Sequence, residues 1–377
     1  MSNYKNIFRN FVLLICSVIF CFLLIEIGIR IFVKDQSHYF DYPQFLFEID
    51  KKKGYRLTKN FKGIVLDSQA DYVCKMETNS IGLRDREYGD KKDNTFRILV
   101  LGDSITFGLG VELEDTYPKQ LETILGLRND GKKYEVINAG VMGYGTDHEF
   151  YYLEEWGAKL KPDLVIVGFY VGNDVDDVMI GAQNLFTVKD GYLFDKYRHE
   201  GIESNKNIFK RHSKAYEFFA DRVNNLLIKT GLKKGNSDLP ENLKFYLNKL
   251  PYKMEVTMNK VETFLKKISN LEAQIGGKTI IILIPTRKQI FLQNNLDEDF
   301  ERYKLNPIEY SPTKINDEII NFAKRSRIPL IDLLPIMKEE EEKIQLLLPG
   351  MSHWNKEGHK LVANTIYGFL ISNQIIP

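Results

Sequence analysis

The sequence predicts an α/β protein, in which one parallel sheet of five strands carries helices on both faces. Three observations point there. Short β-branched and aliphatic runs recur along the chain, the mark of strands buried on both sides. Amphipathic stretches at helical spacing lie between them, and that alternation builds parallel sheets. Ahead of both stands an apolar run, Phe11 to Ile29, interrupted only by Ser17 and Glu26.

That run, "FVLLICSVIFCFLLIEIGI", is apolar on every face. At about 1.5 Å per residue it nearly crosses a hydrocarbon core of about 30 Å, and residues 30–33 extend it. No small-residue cleavage site follows, and the residues before Cys16 and Cys21 are bulky, which argues against secretory or lipoprotein processing. An uncleaved signal-anchor over 11–33 is therefore expected. Lys5 and Arg9 precede the run and Arg30 and Lys34 follow it, so the charge balance orients it only weakly. The expected arrangement is a cytoplasmic N-terminus at 1–10, a single pass through the membrane, and a large domain outside the cytoplasm.

Composition excludes several classes. The 377 residues are 44% hydrophobic and 27% charged, with a net charge of +1, so no global field recruits nucleic acid. Two of the three cysteines, Cys16 and Cys21, lie in the apolar run, leaving Cys74 without a partner for an internal disulfide. No Cys/His cluster has metal-ligand spacing; His353 and His359 are six apart, which fits no common ligand pair on a helix. Neither metal nor cofactor is expected.

The elements follow in order. Residues 35–95 read as a β-rich lead-in, with "YRLTKNFKGIVL" and "DYVCKME" as small strands and "TNSIGLRDREYGDKKDN" as a polar connection. At Phe96 the main domain, 96–377, begins with the strand "FRILVL" (96–101). A helix follows from Asp115 or Thr116 as N-cap, with Pro118 in its first turn. Then come a strand at 134–138, a helix at 146–160 and a strand at 163–170. An insertion at about 178–250 carries the stripe Phe218, Phe219, Val223, Leu226 and Leu227; it reads as a peripheral helical hairpin, or else as a substrate lid or interfacial surface. A helix at 255–276, strands at 278–284 and 328–333, and a closing helix at 355–372 complete the fold.

Ligands of such sheets bind beyond the carboxyl ends of the strands. Four positions meet that condition. Ser104 in "LGDSITFGLG" follows the first strand, where its hydroxyl is exposed in a strand-to-helix turn, although serine there also serves as a helix cap. Glycines 140, 143 and 145 follow the second strand and let backbone amides approach a ligand, or simply make a tight turn. Asn173 in "YVGNDVDD" offers an amide donor or an Asx turn. His353 in "LLLPGMSHWN" precedes the last helix as a base or a capping residue. Taken together, hydroxyl, backbone donor, amide donor and imidazole are what acyl transfer requires.

"GDSIT", the Gly143 region, "GND" and the histidine loop resemble the SGNH/GDSL esterase and lipase superfamily, over roughly 96–177 and 278–372. The resemblance implies a flavodoxin-like three-layer α/β/α sandwich. It also implies Ser104 as nucleophile, an oxyanion hole from Ser104, Gly143 and Asn173, and His353 as general base. The anchor followed by "TNSIGLRD" and "GDSITFG" resembles membrane-anchored bacterial members, some relatives of which act on O-acetyl groups of envelope polysaccharides while others are acetyltransferases. One departure stands out. The usual place of the orienting aspartate, two or three residues before the histidine, holds Met351 and Gly350. Loss of that carboxylate costs roughly 10⁴-fold in a Ser-His-Asp enzyme. A backbone carbonyl of the 349–352 loop can replace it, or Asp332 after the fifth strand, or the site binds without cutting. The expected activity is hydrolysis or transfer of short acyl groups on an envelope glycan, within a polysaccharide assembly or acetylation complex. A lipase or thioesterase for longer chains and a catalytically silent glycan-binding protein are the alternatives.

Overall fold

The computed structural model describes residues 2–32, 42–67, 72–197, 213–230, 241–291 and 305–377. The chain divides into two compact units, Met1–Phe40 with Asp195–Asp238, and Asp41–Phe194 with Leu239–Pro377.

In the first unit a helix runs from Ser2 to Phe32. Its segment Ile7–Ile29 has a mean hydropathy of 2.9 and is long and apolar enough to cross a membrane, with none of it buried by protein. Residue 33 of the expected span lies outside the described residues. A second helix, Lys214–Lys229, belongs to the same unit.

The second unit opens with two antiparallel hairpins. In the first, β1 (Phe47–Asp50) pairs with β2 (Gly54–Leu57); in the second, β3 (Lys62–Asp67) pairs with β4 (Tyr72–Glu77). The main sheet then forms from β5 (Thr95–Gly102), β6 (Lys133–Gly140) and β7 (Leu164–Tyr170). A small hairpin of β8 (Phe186–Lys189) and β9 (Tyr192–Asp195) follows, and β10 (Lys278–Ile284) and β11 (Leu330–Asp332) complete the sheet. The order is β11-β10-β7-β5-β6, every pair parallel. The first strand of this sheet, β5, is thus flanked by its second, β6, on one side and its third, β7, on the other. This is the flavodoxin-like arrangement, and its winding reverses at the end of β5.

Alternation along the strands divides the core. Leu99, Leu101, Val165, Val167, Ile281 and Leu283 face the helices Thr146–Leu160, Tyr252–Gln274 and Lys314–Ser326. Ile98, Val100, Leu164, Ile166, Ile280 and Ile282 face Tyr117–Gly126 and the closing helix Lys356–Ser372. Both faces being covered is why these strands read as unbroken apolar runs.

Three features differ from the sequence reading, one of them the helix Leu334–Glu341 between β11 and the closing helix. The insertion expected to be helical begins instead with the hairpin β8–β9. Asp190 and Gly191 turn it with φ of 53° and 81°, the left-handed pair that a two-residue hairpin of type I′ needs and that Asp-Gly supplies. Stretches 198–212 and 231–240 of that insertion lie outside the described residues. The helix Lys314–Ser326 between β10 and β11 was not anticipated, yet its buried Ile315, Ile319, Phe322 and Ala323 fall at helical spacing.

Candidate active site

The loop that carries Ser104 leaves β5 at Gly102. Asp103 caps the short helix Ser104–Phe107, its Oδ1 accepting the Ile105 N–H at 2.9 Å. Ser104 is the first helical residue and is partly exposed. The far end of this helix is held by Arg84, which is only 1% exposed. Its Nη1 donates to the carbonyls of Phe107 (3.0 Å) and Gly108 (2.8 Å), and its Nη2 to those of Val111 (2.7 Å) and Lys75 (3.3 Å). A planar five-donor fork suits four converging carbonyls as a lysine ammonium would not.

His353 comes to the same place from the other end of the chain. Its Nε2 stands 2.8 Å from Ser104 Oγ, within reach for proton transfer. The loop that carries it is fixed mainly by its neighbour. Trp354 is 0% exposed, pairs as an isolated antiparallel bridge with Leu347, and meets the rings of Tyr117 and His359 edge-on at 5.9 and 5.4 Å. The His353 carbonyl accepts the Leu348 N–H at 2.8 Å. Ser352 bonds Tyr170 at the end of β7, and Arg287 Nη1 donates to the Met351 carbonyl at 3.2 Å. Burial holds His359 down to about 3, so it stays neutral, with Nδ1 accepting the Tyr117 N–H at 3.1 Å.

The glycine turn after β6 is tied to both neighbours. Val141 N–H donates to the Gly102 carbonyl at 3.0 Å, joining it to the Ser104 loop. Tyr55 of β2 donates its hydroxyl to the Met142 carbonyl at 2.6 Å, and Tyr144 returns a bond to the Tyr55 carbonyl at 2.9 Å. Gly143 takes φ 72°, and a Cβ there would collide with the Phe186 ring and lie 2.9 Å from the Tyr55 hydroxyl. The turn therefore requires glycine. Among the described residues, the amides of Ser104 and Gly143 donate to no acceptor. Asn173 follows β7; its carbonyl accepts the Asp177 N–H at 2.8 Å, and its buried Oδ1 has no partner among the described residues. The side-chain amide is thus not consumed as a local cap.

Asp332 is engaged at its own strand end. Its Oδ1 accepts the Leu334 N–H at 3.1 Å, and burial raises its pKa. This contact is an Asx turn leading into the helix Leu334–Glu341, one residue before its N-cap position Leu333.

Near Ser104 lies a group of acids absent from the sequence reading. Asp103, Glu149 and Asp174 are all buried. Burial pushes Asp103 up to about 7. Glu149 and Asp174 are raised well above the carboxylate range, first by burial and then by the neighbouring negative charges. Raised pKa values reduce the negative charge these carboxyls place behind Ser104.

Arg84, Tyr55 and Glu149 were all missed. For Arg84 and Glu149 no signal separates a buried charge from an exposed one, while the alternation of β2 hinted that Tyr55 faces inward.

Residues 100–188 match the GDSL-like lipase/acylhydrolase family. No curated protein matches significantly. Among solved structures, the chain is similar to the acetyl xylan esterase AlAXEase, at 15% identity and a TM-score of 0.39, covering 73% of this chain and 100% of that one. It is also similar to the lipase/acylhydrolase from Enterococcus faecalis (15% identity, TM-score 0.39, 74% and 96% covered). A third is the esterase EstA from Pseudoalteromonas sp. (14%, 0.38, 74% and 98%).

Proposed function

We propose that this chain, whose residues 100–188 match the GDSL-like lipase/acylhydrolase family, is a membrane-anchored serine esterase that removes or transfers short acyl groups on hydroxyls of a cell-envelope glycan. His353 Nε2 takes the proton of Ser104 as Oγ bonds to the ester carbonyl carbon. The oxyanion accepts hydrogen bonds from the amides of Ser104 and Gly143 and from the side chain of Asn173. As the tetrahedral intermediate collapses, the imidazolium returns the proton to the departing alkoxide, leaving Ser104 acylated. Water or a sugar hydroxyl then attacks the acyl-enzyme, with His353 again as base.

One observation carries this reading: the 2.8 Å contact between Ser104 Oγ and His353 Nε2, where the winding of the sheet reverses. Ser104, Asn173 and His353 are partly exposed, which suits an ester carried on a large polar polymer. The apolar helix Ile7–Ile29 supports the anchor.

The test is turnover of p-nitrophenyl acetate with labelling by a fluorophosphonate. Ser104→Ala is expected to lose at least about 10³-fold in kcat and all labelling. Undiminished turnover by the variant refutes the assignment. A rate that climbs with acyl length points instead to long-chain substrates.

A further inference from the structure

A single carboxylate interrupts the apolar helix near its end. Glu26 lies three residues before Ile29, where the candidate span stops, and an ionisable group in hydrocarbon needs a partner. It has one in the same unit. Glu26 Oε2 accepts the Ser213 hydroxyl at 2.9 Å and the Ala215 N–H at 2.8 Å. Ser213 Oγ in turn accepts the Tyr216 N–H at 3.0 Å. Together these satisfy first-turn donors of the helix Lys214–Lys229, which no helical carbonyl can reach. The start of that helix is thereby fixed at the depth of Glu26, about 5 Å of helix rise inside the end of the span.

The helix is two-faced. Tyr216, Phe219, Val223 and Leu226 are spaced by three, four and three residues, so they form one stripe, and they are 43, 47, 52 and 61% exposed. The sequence fills intervening positions with Glu217, Asp221, Arg222, Asn224 and Asn225. The side chain of Phe218, also in the apolar set expected from sequence, lies outside the described residues.

We propose that Lys214–Lys229 lies in the membrane–water interface, with its Tyr216–Leu226 stripe in the lipid and its first turn pinned to the membrane-spanning helix by Glu26. Interfacial helices seat their apolar face about 5–10 Å into the headgroup and acyl boundary, which matches the depth at which Glu26 holds this one. Continuity with the span identifies the partner as the bilayer that surrounds Ile7–Ile29. The proposal rests on the reading of that helix as a membrane anchor.

The experiment uses the full chain in vesicles of phosphatidylcholine and phosphatidylglycerol containing dibrominated phosphatidylcholine. The chain has two tryptophans, Trp156 and Trp354, whose signal the parent protein supplies for subtraction. Tryptophans placed by Phe219→Trp, Val223→Trp and Leu226→Trp are expected to be quenched at least about twofold more than one placed by Asn225→Trp on the polar side. Glu26→Ala is expected to reduce the quenching at position 219. If the chain stays with the vesicles in alkaline carbonate while the stripe is quenched no more than position 225, the interfacial helix is overturned and the anchor stands. If the chain washes off, the anchor reading falls and the proposal with it.

Discussion

The Ser104 loop and the His353 loop meet at one 2.8 Å contact but rest on different supports. Ser104 sits among polar supports: an aspartate cap before it, four carbonyls gathered by Arg84 behind it, and carboxyls of raised pKa nearby. His353 hangs mainly from an apolar anchor, Trp354 wedged against Tyr117 and His359. The reason lies in what each loop must keep available. The serine needs its own amide unspent, so the scaffold grips the carbonyl end of its helix and leaves the amide end open. The imidazole needs a fixed position, which the packing of Trp354 supplies together with the backbone bonds of its loop.

The largest effect should come from the apolar side. Trp354→Ala leaves a cavity in a packed core and is expected to cost about 3–5 kcal/mol. Because the loop then loses its anchor, kcat should fall as well, which denaturant unfolding and acetate-ester kinetics will show. Arg84→Met strands several buried carbonyls and is expected to cost about 2–4 kcal/mol. Here kcat should fall while KM changes little, since the variant moves the nucleophile and not the binding surface. Should either variant keep wild-type stability and rate, the contrast between the two scaffolds disappears.

The third prediction concerns pH. Glu149 and Asp174 have folded pKa values far above the unfolded range of about 4, and Asp103 rises to about 7. Between those limits the folded chain retains protons that the unfolded chain releases. Stability should therefore fall as pH rises above about 4, by up to about 1.4 kcal/mol per pH unit for each proton retained. Glu149→Gln stays neutral throughout and should flatten this slope in a Tm-against-pH series. An unchanged slope would mean that the acids near Ser104 ionise freely.

The smallest effect is expected at Asp332. With only an Asx turn to keep, Asp332→Asn should cost less than about 1 kcal/mol and leave kcat/KM within a few-fold. A loss near 10⁴-fold would instead make it the acid that orients His353, and the histidine loop would lean on charge after all.

The sheet was legible because its strands are buried on both faces. The run 278–284 coincides with β10, and the helix 146–160 with Thr146–Leu160, to the residue. The residues singled out at strand ends could be placed because strand, glycine and turn patterns are local. The Asp190–Gly191 hairpin was equally local and was overlooked inside a segment read as helical. Arg84 is a different case. Its partners are main-chain oxygens, identical at every residue, so nothing in "SIGLRDREY" marks this arginine as buried and the next as exposed. Glu149 lies on a helix whose polar residues read as solvated, yet it faces the core.

Arg84 also determines where the protein can be cut. The family match begins at residue 100 and the first strand of the main sheet at Thr95, so an excision there looks natural. A fragment trimmed to that edge would carry the serine, glycine, asparagine and histidine yet forfeit both Arg84 and Tyr55, the brackets that brace two of its active loops from outside. The hairpins before the sheet thus belong with the loops they brace, and any shortened version should retain Tyr55 and Arg84.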